Sequence, residues 1–242
     1  MYRPVDKTIA LLQFTNLTNF LRSINVDVKL IEPRENLVDM VFSANGALID
    51  KKTNTAIIAS FAAEPRKEES VYWSDFLKKA KYNIYQLHSA FEGQGDALFS
   101  HENKILWLGY GYRTIFEATE ELQLLFSNIK VYPLRLVNPL FYHLDTCFCV
   151  INETCVMYYP DAFDDESLKL IRKNFKDCIE VTDYDAMNFA CNAVQVYNYI
   201  ILNSATDELK YELANRKLTV IENDMSEFIL SGGSVKCCVL HS

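Results

Sequence analysis

Four stretches of the chain strand polar or charged residues inside apolar runs: DMVFSANGAL (39–48), FEGQGDALF (91–99), NPLFYHLDTCF (138–148) and the terminal SGGSVKCCVLHS (231–242). Burying such groups costs several kcal/mol unless partners are provided, so they are either paired with one another or reserved for a ligand. Between them they supply a thiol, an imidazole and carboxylates, the groups used for nucleophilic and acid–base chemistry. Glu92 precedes Gly93 and Gly95, whose missing side chains allow tight turns and close backbone approach. His143 and Asp145 are two residues apart, which on a strand sends both to one face. Cys237 and Cys238 are neighbours, so on a strand only one of them looks into a site and the other belongs to the core.

Positioning these residues requires elements around them. Helical periodicity runs from Asp6 to Ile24 and from about Glu68, Thr114, Asp164 and Thr206. Thr114 with Glu117 reads as a capping box, and acidic or hydroxyl residues stand at the other helix starts. Between the helices lie β-branched and aromatic runs: VDVKLI, NTAIIASF, KILWLGY, IKVYPLRL, TCVMYY, CIEVT, AVQVYNYIIL and LTVIE. The helix starts recur roughly every 50 residues, the signature of repeated strand-strand-helix-strand units rather than one open sheet. The first unit lacks strands ahead of its helix, and a strand at Val235–Leu240 would complete it if the units close into a ring.

At 242 residues, half of them apolar, the chain is long enough for a substantial core, and its 7 glycines and 6 prolines argue against low complexity. A net charge of -8 and a pI near 5.1 disfavour nucleic acid and anionic membranes, and suit a small cationic substrate. The 7 cysteines are odd in number and mostly sit in apolar runs, as reduced buried thiols do; with no signal segment in MYRPVDKTIA, a cytoplasmic compartment is expected. Cys147 and Cys149 have C-x-C spacing but no matching ligand cluster, so they read as core.

Taken together, DMVFSAN, the arginine and glutamates of EPRKEE, EGQGDAL, GYGYRT, FYHLDTCF, FACNAV and SEFILSGGSVKC resemble, in order, the guanidine-modifying enzymes: arginine deiminases, dimethylarginine dimethylaminohydrolases, amidinotransferases and arginine dihydrolases. The resemblance implies an α/β fold, a five-fold pseudosymmetric propeller with its active site in the central channel, and a single catalytic domain over residues 1–242, short of the N-terminal strand segment usual in relatives. It implies a hydrolase of the guanidino C–N bond of arginine with neither metal nor organic cofactor; the oligomeric state stays open. Cys237 corresponds to the nucleophile and His143 to the general acid/base. Glu92 and Asp145 correspond to carboxylates that hold the guanidinium, Asp39 and Phe42 to pocket residues, and Arg66 and Arg113 to the pair that receives the substrate carboxylate. Arg66 also stands three residues before Glu69, the spacing of a helical ion pair.

Two positions discriminate within the family. Asn45 stands where arginine deiminases carry aspartate; its amide both donates and accepts, so it suits a neutral ureido group and a second hydrolysis, as in arginine dihydrolases. Asp145 adds a carboxylate that needs N–H donors, which ranks arginine above methylated arginines. The alternatives are a dimethylarginine dimethylaminohydrolase and a non-catalytic guanidine-binding protein on the same fold.

Overall fold

The computed structural model describes residues 3–37, 39–100 and 102–242. Helix α1 (Lys7–Ser23) opens it, with the Asp6 carboxylate accepting from the Thr8 and Ile9 amides. The VDVKLI run that follows joins no sheet.

Four units of one topology come next. In the first, β1 (Ala47–Asp50) and β2 (Thr55–Ile58) form an antiparallel hairpin, α2 (Lys67–Lys79) crosses over, and β3 (Asn83–Gln86) returns parallel to β2. The second adds a four-residue helix α3 (Gly93–Asp96) before β4 (Ala97–Ser100) and β5 (Ile105–Tyr110), then α4 (Ala118–Leu125) and β6 (Lys130–Arg135). The third runs β7 (Phe148–Val150), β8 (Cys155–Tyr158), α5 (Asp165–Asn174), β9 (Asp177–Glu180). The fourth runs α6 (Asp183–Met187), β10 (Val194–Val196), β11 (Tyr199–Leu202), α7 (Asp207–Asn215), β12 (Thr219–Glu222). Among the described residues the result is a mixed α/β fold of four three-stranded sheets. A tight loop suffices for each antiparallel step, whereas the parallel return needs the longer helical crossover.

The sequence signals for helix starts succeed where the cap is local. Asp164 accepts from the Ser167 amide and Thr206 from that of Leu209. Thr114 is different: α4 begins only at Ala118, and the Thr114 hydroxyl is buried and engaged with Asp96 and the Glu92 backbone. Tertiary partners outbid the capping box there.

The first two strands of each unit are the more buried ones. β1, β2 and β8 are buried throughout, while β3 is mostly exposed and β9 and β12 are half-buried. Trp107 of β5 stitches the second unit to the third, its ring 5.6 Å from Phe148 and 5.2 Å from Phe175.

The two chain ends build a fifth cluster together. Phe14 of α1 stacks on Phe228 of α8 (Ser226–Ile229), Gln13 bonds Ser226 and accepts from the Glu227 amide, and Arg3 pairs with Glu227. Leu17, Leu21, Val235 and Cys238 share the core beneath. The segment at 235–240 is not the expected strand. It is a helical turn in which the Cys238 amide bonds back to Ser234 and Val235 and that of Val239 to Lys236.

Candidate active site

Short helical turns, not strands, deliver the polar residues. They are Ser43–Gly46 ahead of β1, α3 ahead of β4, Leu144–Thr146 ahead of β7, the 188–192 turn ahead of β10, and the 234–238 turn. Each bonds or abuts the next in cyclic order. The Ala44 amide donates to the Cys237 carbonyl (3.0 Å), the Lys236 amide to that of Asn192 (3.2 Å), and the Asn192 side chain to that of Asp145 (3.0 Å). The Leu144 amide donates to Asp96 (3.0 Å), and Gly95 abuts Asn45 so closely that a Cβ there would sit 2.0 Å from Asn45 Nδ2. His143 and Asp145 thus reach one site although His143 is extended and Asp145 lies within a helical turn.

A cavity of about 60 Å³ opens above these turns, room for a couple of waters or one small planar head group. Asp39, Phe42, Asn45, Arg66, Arg113, His143 and Cys237 line it. Glu92 and Asp145 lie fully buried just beneath it. Sequence reasoning did not place Tyr142, Ser231 and Gly232 in the wall. The Tyr142 hydroxyl donates to the Gly232 carbonyl at 2.9 Å, and Gly232 has φ +86°, a conformation that a side chain facing Tyr142 would strain.

His143 Nε2 lies 2.7 Å from Glu92 Oε2. Burial alone pushes the Glu92 carboxyl up, but His143, Arg66 and Arg113 overcome it and hold the group below the ordinary carboxylate range. Burial likewise lowers the His143 imidazole, and Asp96, Glu92 and Asp145 more than reverse it. The two shifts agree on a charged pair. Asp96 lies outside the cavity wall: burial pushes it up to about 7, and it ties the Leu144 amide to the Thr114 hydroxyl, which accepts from the Glu92 amide. The segments carrying His143 and Glu92 are thus anchored to one carboxyl.

The Cys237 thiol is pushed well up by burial and by Asp145, toward whose Oδ2 it donates at 3.4 Å. Asp145 is itself raised, burial outweighing His143 and Lys236. Asn192, buried and not singled out from the sequence, donates from Nδ2 to the sulfur at 3.1 Å and accepts the Cys237 amide on Oδ1 at 3.2 Å. Its signal was the same as that of the chosen residues, a polar side chain inside the apolar run FACNAV.

The two arginines differ. Arg66 is buried, with Nε and Nη2 on the Glu69 carboxylate (2.9 and 2.8 Å) and Nη1 on Asn45 Oδ1 (3.2 Å). Its fork is occupied by a bidentate partner, and Nη2 also donates to the Asp39 carbonyl (3.3 Å), so all three of its nitrogens are engaged although the side chain lines the cavity. Arg113 is a third exposed, stacks over Tyr142 at 4.9 Å, and lies 3.6 Å from Glu92 Oε1, too far for a hydrogen bond. Three buried polar atoms around the cavity floor have no hydrogen-bond partner: Asn45 Nδ2, Glu92 Oε1 and Asp145 Oδ1.

A family model for N,N-dimethylarginine dimethylhydrolase, eukaryotic, matches residues 3–242. The bifunctional arginine dihydrolase/ornithine cyclodeaminase AgrE of Nostoc sp. is 37% identical over 217 residues, covering 88% of this chain and 30% of that protein. The chain therefore spans about a third of the length of that relative. The N(G),N(G)-dimethylarginine dimethylaminohydrolase of Mycobacterium tuberculosis is 34% identical over 237 residues, 98% of this chain and 77% of that protein. Among solved structures, the N-terminal domain of ArgZ, a cyanobacterial arginine dihydrolase, superposes with a TM-score of 0.93 at 34% identity when bound to substrate, covering 98% of this chain and 87% of that one. The same domain covalently bound to a reaction intermediate gives 0.92, covering 97% and 86%. With its match extending over essentially the whole described length, this chain belongs to the eukaryotic N,N-dimethylarginine dimethylhydrolase family.

Proposed function

We propose that this chain is a cysteine-dependent hydrolase of the guanidino C–N bond of arginine, built as one domain whose five units close as an α/β propeller around the site. The cyclic order of bonds between the five turns supports the closed ring. The three orphaned atoms carry the functional reading. Two are carboxylate oxygens that lack donors, and a guanidinium edge presents planar N–H pairs to such oxygens. The third is an amide N–H, which suits the oxygen of a ureido product.

A bound guanidinium brings a permanent positive charge beside Cys237 and favours loss of the thiol proton to solvent, where it balances the released ammonia as ammonium. The thiolate then attacks the guanidino carbon, giving a neutral tetrahedral adduct. His143, held protonated by Glu92, gives its proton to the departing nitrogen, and ammonia leaves a cationic amidino-thioether. The neutral imidazole takes a proton from water, and the hydroxide adds to the same carbon. Collapse expels the sulfur, which regains a proton from the adduct's hydroxyl, and frees a ureido product. Asn45 holds that product by its oxygen for a second cycle, which releases carbon dioxide and ammonia and leaves ornithine. The likeness to AgrE and ArgZ supports this longer course.

A second reading is a dimethylarginine dimethylaminohydrolase, favoured by the family model and the Mycobacterium tuberculosis relative. Incubation with L-arginine and with N(G),N(G)-dimethylarginine, followed by mass spectrometry, separates the two. Ornithine from arginine is the expected result. Citrulline without ornithine removes the second cycle, dimethylamine from the methylated compound moves the assignment to the second reading, and no turnover of either overturns both.

A further inference from the structure

The turn that presents Cys237 is held by one residue on three sides. Asn192 sits at the end of a turn that leaves α6 through Phe189, whose φ of 59° is unusual for a side chain of that size. Its amide bonds the Phe189 carbonyl, which fixes the residue from below. Its carbonyl accepts the Lys236 amide (3.2 Å) and its Oδ1 accepts the Cys237 amide (3.2 Å). Its Nδ2 reaches the Asp145 carbonyl (3.0 Å) and the Cys237 sulfur (3.1 Å). Because Oδ1 accepts a backbone N–H and Nδ2 donates to a carbonyl, the amide has only one orientation consistent with its neighbours.

We propose that Asn192 is a further catalytic residue: its amide N–H is a fixed donor to the reacting sulfur, stabilising it as thiolate on attack and again when it departs from the second adduct. The inference rests on Cys237 being the nucleophile. The resting thiol donates toward Asp145, and on ionisation that bond is lost and the sulfur becomes an acceptor only. A donor already placed at hydrogen-bond distance needs no reorganisation at that moment. The Ser234 backbone acts on the sulfur in the same sense. Asp145, whose carbonyl shares Nδ2, is thereby kept in register with the sulfur it faces.

The test is the pH dependence of Cys237 alkylation by 2-chloroacetamidine, a small cationic probe, in the full chain and in Asn192→Ala, Asn192→Ser and Asn192→Asp. Loss of one charge-assisted hydrogen bond is expected to slow alkylation at neutral pH by roughly 10- to 100-fold in Asn192→Ala. The ionisation limb of its profile moves to higher pH by one unit or more. Asn192→Ser, which keeps a shorter donor, retains part of the rate, and Asn192→Asp, which sets a negative acceptor against the sulfur, loses more than Asn192→Ala. A merely structural residue would lower the plateau and leave the limb in place, or make Ser and Ala equivalent; either result overturns the proposal. Should Asn192→Asp fail to fold, the Ser and Ala pair still decides. If Cys237 of the unaltered chain is not alkylated, the nucleophile assignment itself fails, a different outcome from normal labelling with an unmoved limb.

Discussion

Two cavities lie on opposite sides of the same turns. The larger, about 430 Å³, is walled by strand edges of several units and by His241 and Ser242; the smaller has about 60 Å³. Neighbours in sequence face different ones: Lys236 lines the large cavity and Cys237 the small. In the large cavity the buried polar groups satisfy one another. Gln94 donates to the His241 carbonyl (2.7 Å) and accepts from the His241 amide (3.0 Å) and from Lys236 Nζ (3.1 Å), which also donates to the Val239 carbonyl. At the small cavity three groups stay unsatisfied and a charged His143–Glu92 pair is held against burial. Unfinished hydrogen bonding, not volume, distinguishes the side proposed to react.

The sharpest way to break this contrast is Cys237→Ala, expected to lower turnover of the guanidino substrate by roughly 10⁴-fold or more in a steady-state ammonia assay. Residual activity near the original level would detach the chemistry from the small cavity. Glu92→Gln comes next. It keeps the shape but removes the charge that holds His143 protonated, and kcat is expected to fall by about 10²- to 10⁴-fold with the high-pH limb moving down. Asn45→Asp sharpens the contrast within the small cavity: arginine consumption continues while ornithine, measured against citrulline, falls by roughly tenfold or more.

A pH titration of stability reaches deeper. Asp96 has a folded value raised to about 7, against an ordinary one of about 3.9. Its contribution is fully present below the ordinary value and is lost as pH rises toward 7, so urea denaturation should show that part of the stability declining across this window. Asp96→Asn removes the decline. Glu92 has the opposite sign, its stabilisation present above the ordinary value and lost as pH falls through the depressed one. The smallest effect is expected from Lys51→Ala, in the wall of the large cavity, with kcat/KM within about twofold of the parent. A large loss there would erase the distinction between the two sides.

Much of this was legible in the residues. β-branched and aromatic runs located β2, β5, β6, β8 and β12, and the local caps Asp164 and Thr206 located α5 and α7. The candidate site was readable because a polar side chain in an apolar run is costly wherever it folds. The turns were not readable: SANG, GQGD and LDT are too short for any periodicity, and their apolar flanks imitate strands. Seven of the nine chosen residues still line one cavity, because the cost of burial does not depend on the local backbone, whereas the argument from alternating strand faces did. Cys238 is buried in the core as expected, but through a helical turn. Thr114 was read as a helix cap because its partners, Asp96 and the Glu92 amide, are distant in sequence, and Asn192 was passed over although FACNAV carried the same signal.

The turns carry a consequence for assembly of the fold. Asn45, Glu92, His143, Asn192 and Cys237 each arrive on a different turn, and the Ala44–Cys237 bond joins segments far apart in sequence. Contacts of such sequence separation carry the largest loop-closure entropy and form late. Each unit is able to gain its hairpin and helix before any reactive geometry exists. Recovery of activity after denaturation is therefore a clock for the meeting of the two termini, and a nick that frees either end silences the site while leaving most of the secondary structure intact.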